Sequence, residues 1–111
     1  MNWKAINQIS DLDTIVELSK VKPVLIFKHS TTCSISNTAL NRLERKWSDE
    51  KAGDLEPHYL DLLNFRPISA EIASKFAVQH ESPQALIIKD GKCVYHASHF
   101  DITFDEIAAE I

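Results

Sequence analysis

The chain has 111 residues, with 12 Lys and Arg against 16 Asp and Glu, for a formal net charge of −4. This length fits one domain spanning 1–111 and leaves no room for two of ordinary size. The acidic balance excludes a polybasic nucleic-acid binder and gives no reason to expect attraction to an anionic membrane.

Asp11 or Asp13 can cap a helix after a short, weakly signalled strand at Trp3–Ile6; the helix carries Leu12, Ile15, Val16 and Leu18 on one face to about Lys20. Pro23 stops it. Val24-Leu25-Ile26-Phe27 is a continuous apolar run of strand formers, as a central strand covered on both faces requires. A polar turn, His29-Ser30-Thr31-Thr32, follows. From Cys33 the period changes: Ile35, Ala39, Leu43 and Trp47, with Leu40 beside them, predict a helix ending before Gly53. Pro57 opens a strand over His58–Leu63. Ile68, Ile72, Ala73 and Phe76 mark a further helix, entered through Pro67 and Ser69. Pro83 precedes a strand at Ala85–Ile88, and Lys89-Asp90-Gly91-Lys92 is a hairpin signal returning as Cys93–Ser98. Thr103 and Glu106 fit a capping box opening a last helix that buries Phe104, Ile107 and Ala108. The β-α-β crossovers imply parallel central strands and the hairpin adds an antiparallel pair, an α/β sandwich with helices on both faces.

The longest apolar runs are four residues, too short to span a bilayer. The start, Met1-Asn2-Trp3-Lys4-Ala5, lacks an apolar signal-peptide core, so a cytoplasmic protein is expected. Two cysteines in such a chain point to reactivity or inert burial, not to a disulfide framework.

Cys33 follows a buried strand and opens an amphipathic helix. Unpaired amides at a helix start favour a thiolate, the form that attacks a disulfide sulfur. Thr31, Thr32, Ser34 and Ser36 are small and polar, which suits an exposed turn that a partner can approach.

Cys33-Ser34-Ile35-Ser36 is a C-x-x-S arrangement where thioredoxin-like proteins carry C-x-x-C, and Ser82-Pro83, leading into a strand and a Lys-Asp-Gly hairpin, resembles the cis-proline loop of that fold. The segment from Phe27 to Ser36, with Ser82-Pro83-Gln84 and His96-Ala97-Ser98-His99, resembles the monothiol bacilliredoxins of low-GC Gram-positive bacteria. The motif there usually reads T-C-P-I-S, and Ser34 stands in the proline position.

The resemblance implies a thioredoxin-like three-layer sandwich with a central mixed sheet. It implies an enzyme, a monothiol thiol-disulfide oxidoreductase whose nucleophile Cys33 removes bacillithiol from protein mixed disulfides. Bacillithiol is then a co-substrate and no cofactor is tightly bound. The partners are bacillithiolated client proteins, and the chain acts as a monomer. Ser36, at the resolving-cysteine position, is expected to stabilise the thiolate together with Thr32 and His29, the latter as a cation. Ser82, Pro83, Ser34, His99 and Lys28 are expected to bind substrate, with the charged end of bacillithiol near the helix start and Lys28, His29 or His99. A variant of this chemistry would hold an iron–sulfur cluster through Cys33 and a small thiol. A reading from another class is a non-catalytic thioredoxin-like adaptor or stress protein that holds partners in the proline-loop groove.

His96 and His99 are three apart on a strand or its end, on opposite faces, so no metal site is expected. His58 and His80 read as loop residues. Cys93 lies just past the hairpin, ~15 Å from the proline loop at the rise of an extended strand and beyond the ~7 Å reach of a disulfide, and reads as inert.

Overall fold

The structure, a computed structural model, describes residues 1–111. Five strands form one mixed sheet in the order β1-β3-β2-β4-β5: β1 at Lys4–Ala5, β2 at Val24–His29, β3 at Glu56–Asp61, β4 at Gln84–Lys89 and β5 at Lys92–Ser98. Five α-helices cover it: α1 at Ser10–Leu18, α2 at Ser34–Lys46, α3 at Asp49–Ala52, α4 at Arg66–Phe76 and α5 at Phe104–Ala109. A 3-10 turn, His99–Asp101, leads into the last.

Strand alternation assigns the two faces. Val24, Ile26, Leu86 and Ile88 turn to α1 and α4, packing on Leu12, Ile15, Ile68, Ile72 and Phe76. Leu25, Phe27, Ala85 and Ile87 turn the other way, onto Ala39 and Leu43 of α2 and Phe104 and Ile107 of α5. Both faces of β2 and β4 are thus dry, which is why these runs are apolar without interruption.

Strands β1 and β2 run parallel to β3, whereas β4 lies antiparallel beside β2. This corrects the all-parallel centre. The segment from Ala77 to Pro83, which starts from a left-handed Ala77 at the end of α4, returns the chain to the end of the sheet where β2 finishes. Gln84 consequently pairs with Lys28, and β4 runs back the other way.

The helix at Cys33 also departs from its predicted stripe. It ends at Lys46, Trp47 turns extended, and Ser48 caps α3 by accepting the Lys51 N–H. Trp47 packs instead on Phe104, ring centroids 5.0 Å apart. The buried stripe is Ser36, Ala39 and Leu43, and Ile35 is exposed. Asp11 and Asp13 lie inside α1, where Asp11 accepts the Asn7 and Gln8 N–H groups.

At the far end of the sheet Asp90 and Gly91 take positive φ, and their N–H groups donate to Ser19 O and Ser19 Oγ, tying the hairpin to the end of α1. There too the buried Glu56 carboxylate meets Lys4, Lys22 and His58. Burial alone would raise its pKa, but hydrogen bonds and charge from Lys22 and Lys4 win and hold it at about 2. His58 is therefore a buried strand residue, not a loop residue. No helix is long and apolar enough to cross a membrane.

Candidate active site around Cys33

The ends of β2 and β3 and the start of β4 meet at one edge of the sheet, where His29 pairs with Asp61 and Lys28 with Gln84. The chain leaves β2 through Ser30–Thr32 and enters α2 at Cys33. Cys33 is the N-cap, with extended backbone (φ −101°, ψ 122°); its N–H donates to Ser30 O at 3.1 Å and its carbonyl accepts the Asn37 N–H at 3.0 Å. Its side chain makes no capping bond and is half-buried. The helix behind it has 13 residues. The unpaired N–H groups of its first turn favour negative charge at this position.

Ser36 is fully buried. Its Oγ accepts the Ser30 N–H at 3.0 Å and meets His29 Nδ1 at 2.6 Å. The hydroxyl at the resolving-cysteine position therefore closes the loop that carries Cys33. His29 is 3% exposed. Burial lowers its pKa against the opposing charges of Asp61 and Glu44, so the cation expected beside the thiolate is replaced by a neutral ring at neutral pH.

Lys28 needs the larger correction. Strand alternation turns it onto the α4 face, opposite the helix that Cys33 opens, and it is completely buried. Its ammonium donates to Ser69 O and His80 Nδ1, both at 3.3 Å. Burial lowers its pKa to about 8. No substrate carboxylate on the Cys33 side can reach it.

On the other flank the Ser82–Pro83 peptide bond is cis. Pro83 is buried and Ser82 half-buried, and the Ser82 Oγ has no hydrogen-bond partner. His99 adopts a positive φ of 54° and donates its N–H to Pro83 O at 3.0 Å, so the start of the 3-10 turn borders the proline loop. The His99 side chain is exposed, as are Thr32 and Ser34. Ser34 is the first residue of α2. The edge thus gathers Cys33, Ser34, Ser36 and His29 on one side and Ser82, Pro83 and His99 on the other, and leaves Lys28 beneath the sheet.

Cys93 pairs with Ile88 near the hairpin, at the opposite end of β4 from Pro83. Its thiol donates to Tyr95 O at 3.2 Å, and burial raises its pKa. It is far from the turn that carries Cys33 and protonated at neutral pH.

A family model described as monothiol bacilliredoxin BrxC matches residues 4–107. The chain belongs to the monothiol bacilliredoxin family. A solved structure described as a candidate oxidoreductase with a thioredoxin fold is 31% identical, covers 96% of this chain and 91% of its own, and superposes with a TM-score of 0.83. Thioredoxin from Fasciola hepatica is 18% identical, with a TM-score of 0.68 over 96% of this chain and 93% of its own. Oxidised thioredoxin from Plasmodium falciparum is 12% identical, with a TM-score of 0.73 over 97% and 96%. The two thioredoxins share the fold at low identity. This bacilliredoxin therefore has a thioredoxin-like fold, and its family supports a redox function.

One residue of the site left no mark in the sequence. Arg42, half-buried on α2, donates from Nη2 to Phe100 O at 3.0 Å and Ile102 O at 2.9 Å, pinning the 3-10 turn against the helix. An arginine amid charged helix neighbours reads as solvated surface; only the tertiary position of the turn reveals its carbonyl partners.

Proposed function

We propose that the protein removes bacillithiol from protein mixed disulfides through Cys33. The reading is carried by one observation. The half-buried thiol at the start of α2 has at its resolving position a buried hydroxyl already bonded to Ser30 and His29, and the second thiol lies at the other end of β4.

The Cys33 thiolate attacks the bacillithiol sulfur. A Cys33–bacillithiol disulfide forms, the client–bacillithiol disulfide breaks, and the client leaves as a thiolate that takes a proton from water. A second bacillithiol thiolate then attacks the adduct, freeing Cys33 and leaving bacillithiol disulfide. The reductant is the one free bacillithiol thiol consumed, whose sulfur ends in bacillithiol disulfide, so no resident redox group is required. The reaction belongs in the cytoplasm, where thiols are kept reduced, with the chain acting as a monomer.

In this reading the adduct runs along Ser82–Pro83, with its amide paired to the Ser82 backbone. Its carboxylates sit at the first turn of α2 near His99. Ser34 contributes here, because it keeps a backbone N–H at the first helical position that the usual family proline lacks.

A client carrying bacillithiol, incubated with the protein and free bacillithiol, tests this by mass spectrometry. Cys33→Ser should lose all release and Cys93→Ser should keep it. Release by Cys33→Ser, or dependence on Cys93, would overturn the mechanism.

A further inference from the structure

We propose that His29 is a positioning residue for Cys33, acting through Ser36: a proton on its Nδ1 frees the Ser36 hydroxyl hydrogen to turn toward the Cys33 sulfur. This deepens the exchange reading and rests on Cys33 as the exchanging sulfur.

The argument is a count of protons. A serine hydroxyl has one hydrogen and two acceptor lone pairs. One lone pair of Ser36 takes the Ser30 N–H, and His29 Nδ1 stands 2.6 Å away. With Nδ1 bare, the Ser36 hydrogen is held in that contact and nothing is left for sulfur. With Nδ1 protonated, Ser36 accepts twice and its own hydrogen is released. Cys33 is the N-cap and Ser36 the third helical residue. Ser36 Oγ accepts the Ser30 N–H and Ser30 O accepts the Cys33 N–H, so the hydroxyl is held on the turn that carries Cys33. A hydroxyl hydrogen aimed at sulfur favours the thiolate, both when Cys33 attacks and when it leaves the adduct.

The groups around His29 fit a ring whose proton can be exchanged. From β3 come Tyr59, with ring centroids 5.6 Å apart, and Asp61, its register partner; from α2 comes Glu44. Phe27 adds an apolar wall at 6.2 Å. Asp61 and Glu44 support the imidazolium, while burial opposes it.

The test is the rate of Cys33 alkylation by iodoacetamide, in full-length protein carrying Cys93→Ser, from about pH 4.5 to about pH 9. Besides the inflection of the thiol itself, the profile should show a lower one, below the ordinary histidine value of 6.5. It should coincide with the His29 ring titration read by NMR, with a step of roughly tenfold. Ser36→Ala and His29→Asn should each remove that inflection, while Ser36→Thr, which keeps the hydroxyl, should retain it. Its survival in Ser36→Ala, or its absence from the Cys93→Ser parent, would overturn the proposal. If His29→Asn does not fold, the two Ser36 variants still decide. Iodoacetamide is neutral and not a disulfide, so failure of the bacillithiol reading would show in the client assay with this profile intact.

Discussion

Lys28 carries a charge for which the fold supplies no carboxylate. Its ammonium is fully buried with only Ser69 O and His80 Nδ1 as partners, and burial lowers its pKa from 10.5 to about 8. Below about pH 8 the amine is protonated in both folded and unfolded chains, and the cost of burying the charge is fully present. Between about 8 and 10.5 the unfolded chain keeps a proton that the folded chain has lost, so this group makes stability rise with pH. Lys28→Met, similar in length and uncharged, should remove that rise. In urea unfolding, wild type should gain ~2 kcal/mol on the variant between neutral and alkaline pH. Parallel pH profiles for the two proteins would mean that the folded amine keeps its proton as long as the unfolded one does, so that burial leaves its pKa unshifted. The sequence placed Lys28 at the end of a central strand but could not show which face it took. Lys28 and His29 were both candidates for the charged end of a substrate. Alternation sends one beneath the sheet and the other onto Ser36, and neither offers a free cation to the Cys33 side.

The elements were largely legible because their signals are local: apolar runs for β2 and β4, an Asp-Gly turn, and a Thr–Glu capping box of which the N-cap half forms, Thr103 Oγ1 accepting the Glu106 N–H while the Glu106 carboxylate accepts the Tyr95 hydroxyl instead. Two features were not local. The direction of β4 depends on where the segment after α4 delivers the chain, which no strand residue encodes. The phase of α2 is set by burying Ser36 with Ala39 and Leu43, a stripe that hydrophobicity alone assigns to Ile35. A polar residue on a buried stripe is invisible until its partners, Ser30 and His29, are in place. The 3-10 turn is another such case, since its position relies on Arg42 from α2. Arg42→Ala should loosen it, seen as faster amide exchange at the Ile102 and His99 N–H groups. Release from a client should slow several-fold, while Cys33 alkylation stays unchanged, because the α2 start is untouched. Equal slowing of both reactions would place the damage in α2 itself and not in the turn beside Pro83.

The molecule measures 34 × 29 × 22 Å and carries a formal net charge of −4. At ~10 mM salt the Debye length is about 30 Å, as large as the protein, so an approaching anion senses the whole net charge. At ~150 mM it falls to about 8 Å, and only the local field at the Cys33 edge is felt. The sequence led to an expectation of cationic side chains at that edge, but Lys28 is buried and burial lowers the His29 pKa. What remains for a carboxylate is the first turn of α2 and the His99 side chain, both short-ranged. Low salt should therefore hinder a carboxylate-bearing disulfide more than it helps. Stopped-flow rates of reduced protein with bacillithiol disulfide, whose malate groups are anionic, should rise as salt is added across that range. Rates with neutral hydroxyethyl disulfide should stay flat. Electrostatic steering acts on encounter more than on the final complex, so the change belongs in the second-order rate and not in the stability of the adduct. A rate with bacillithiol disulfide that falls with salt would mean that a local cationic field at the Cys33 edge outweighs the acidic whole, and would call for a positive group beyond His99 in the approach path.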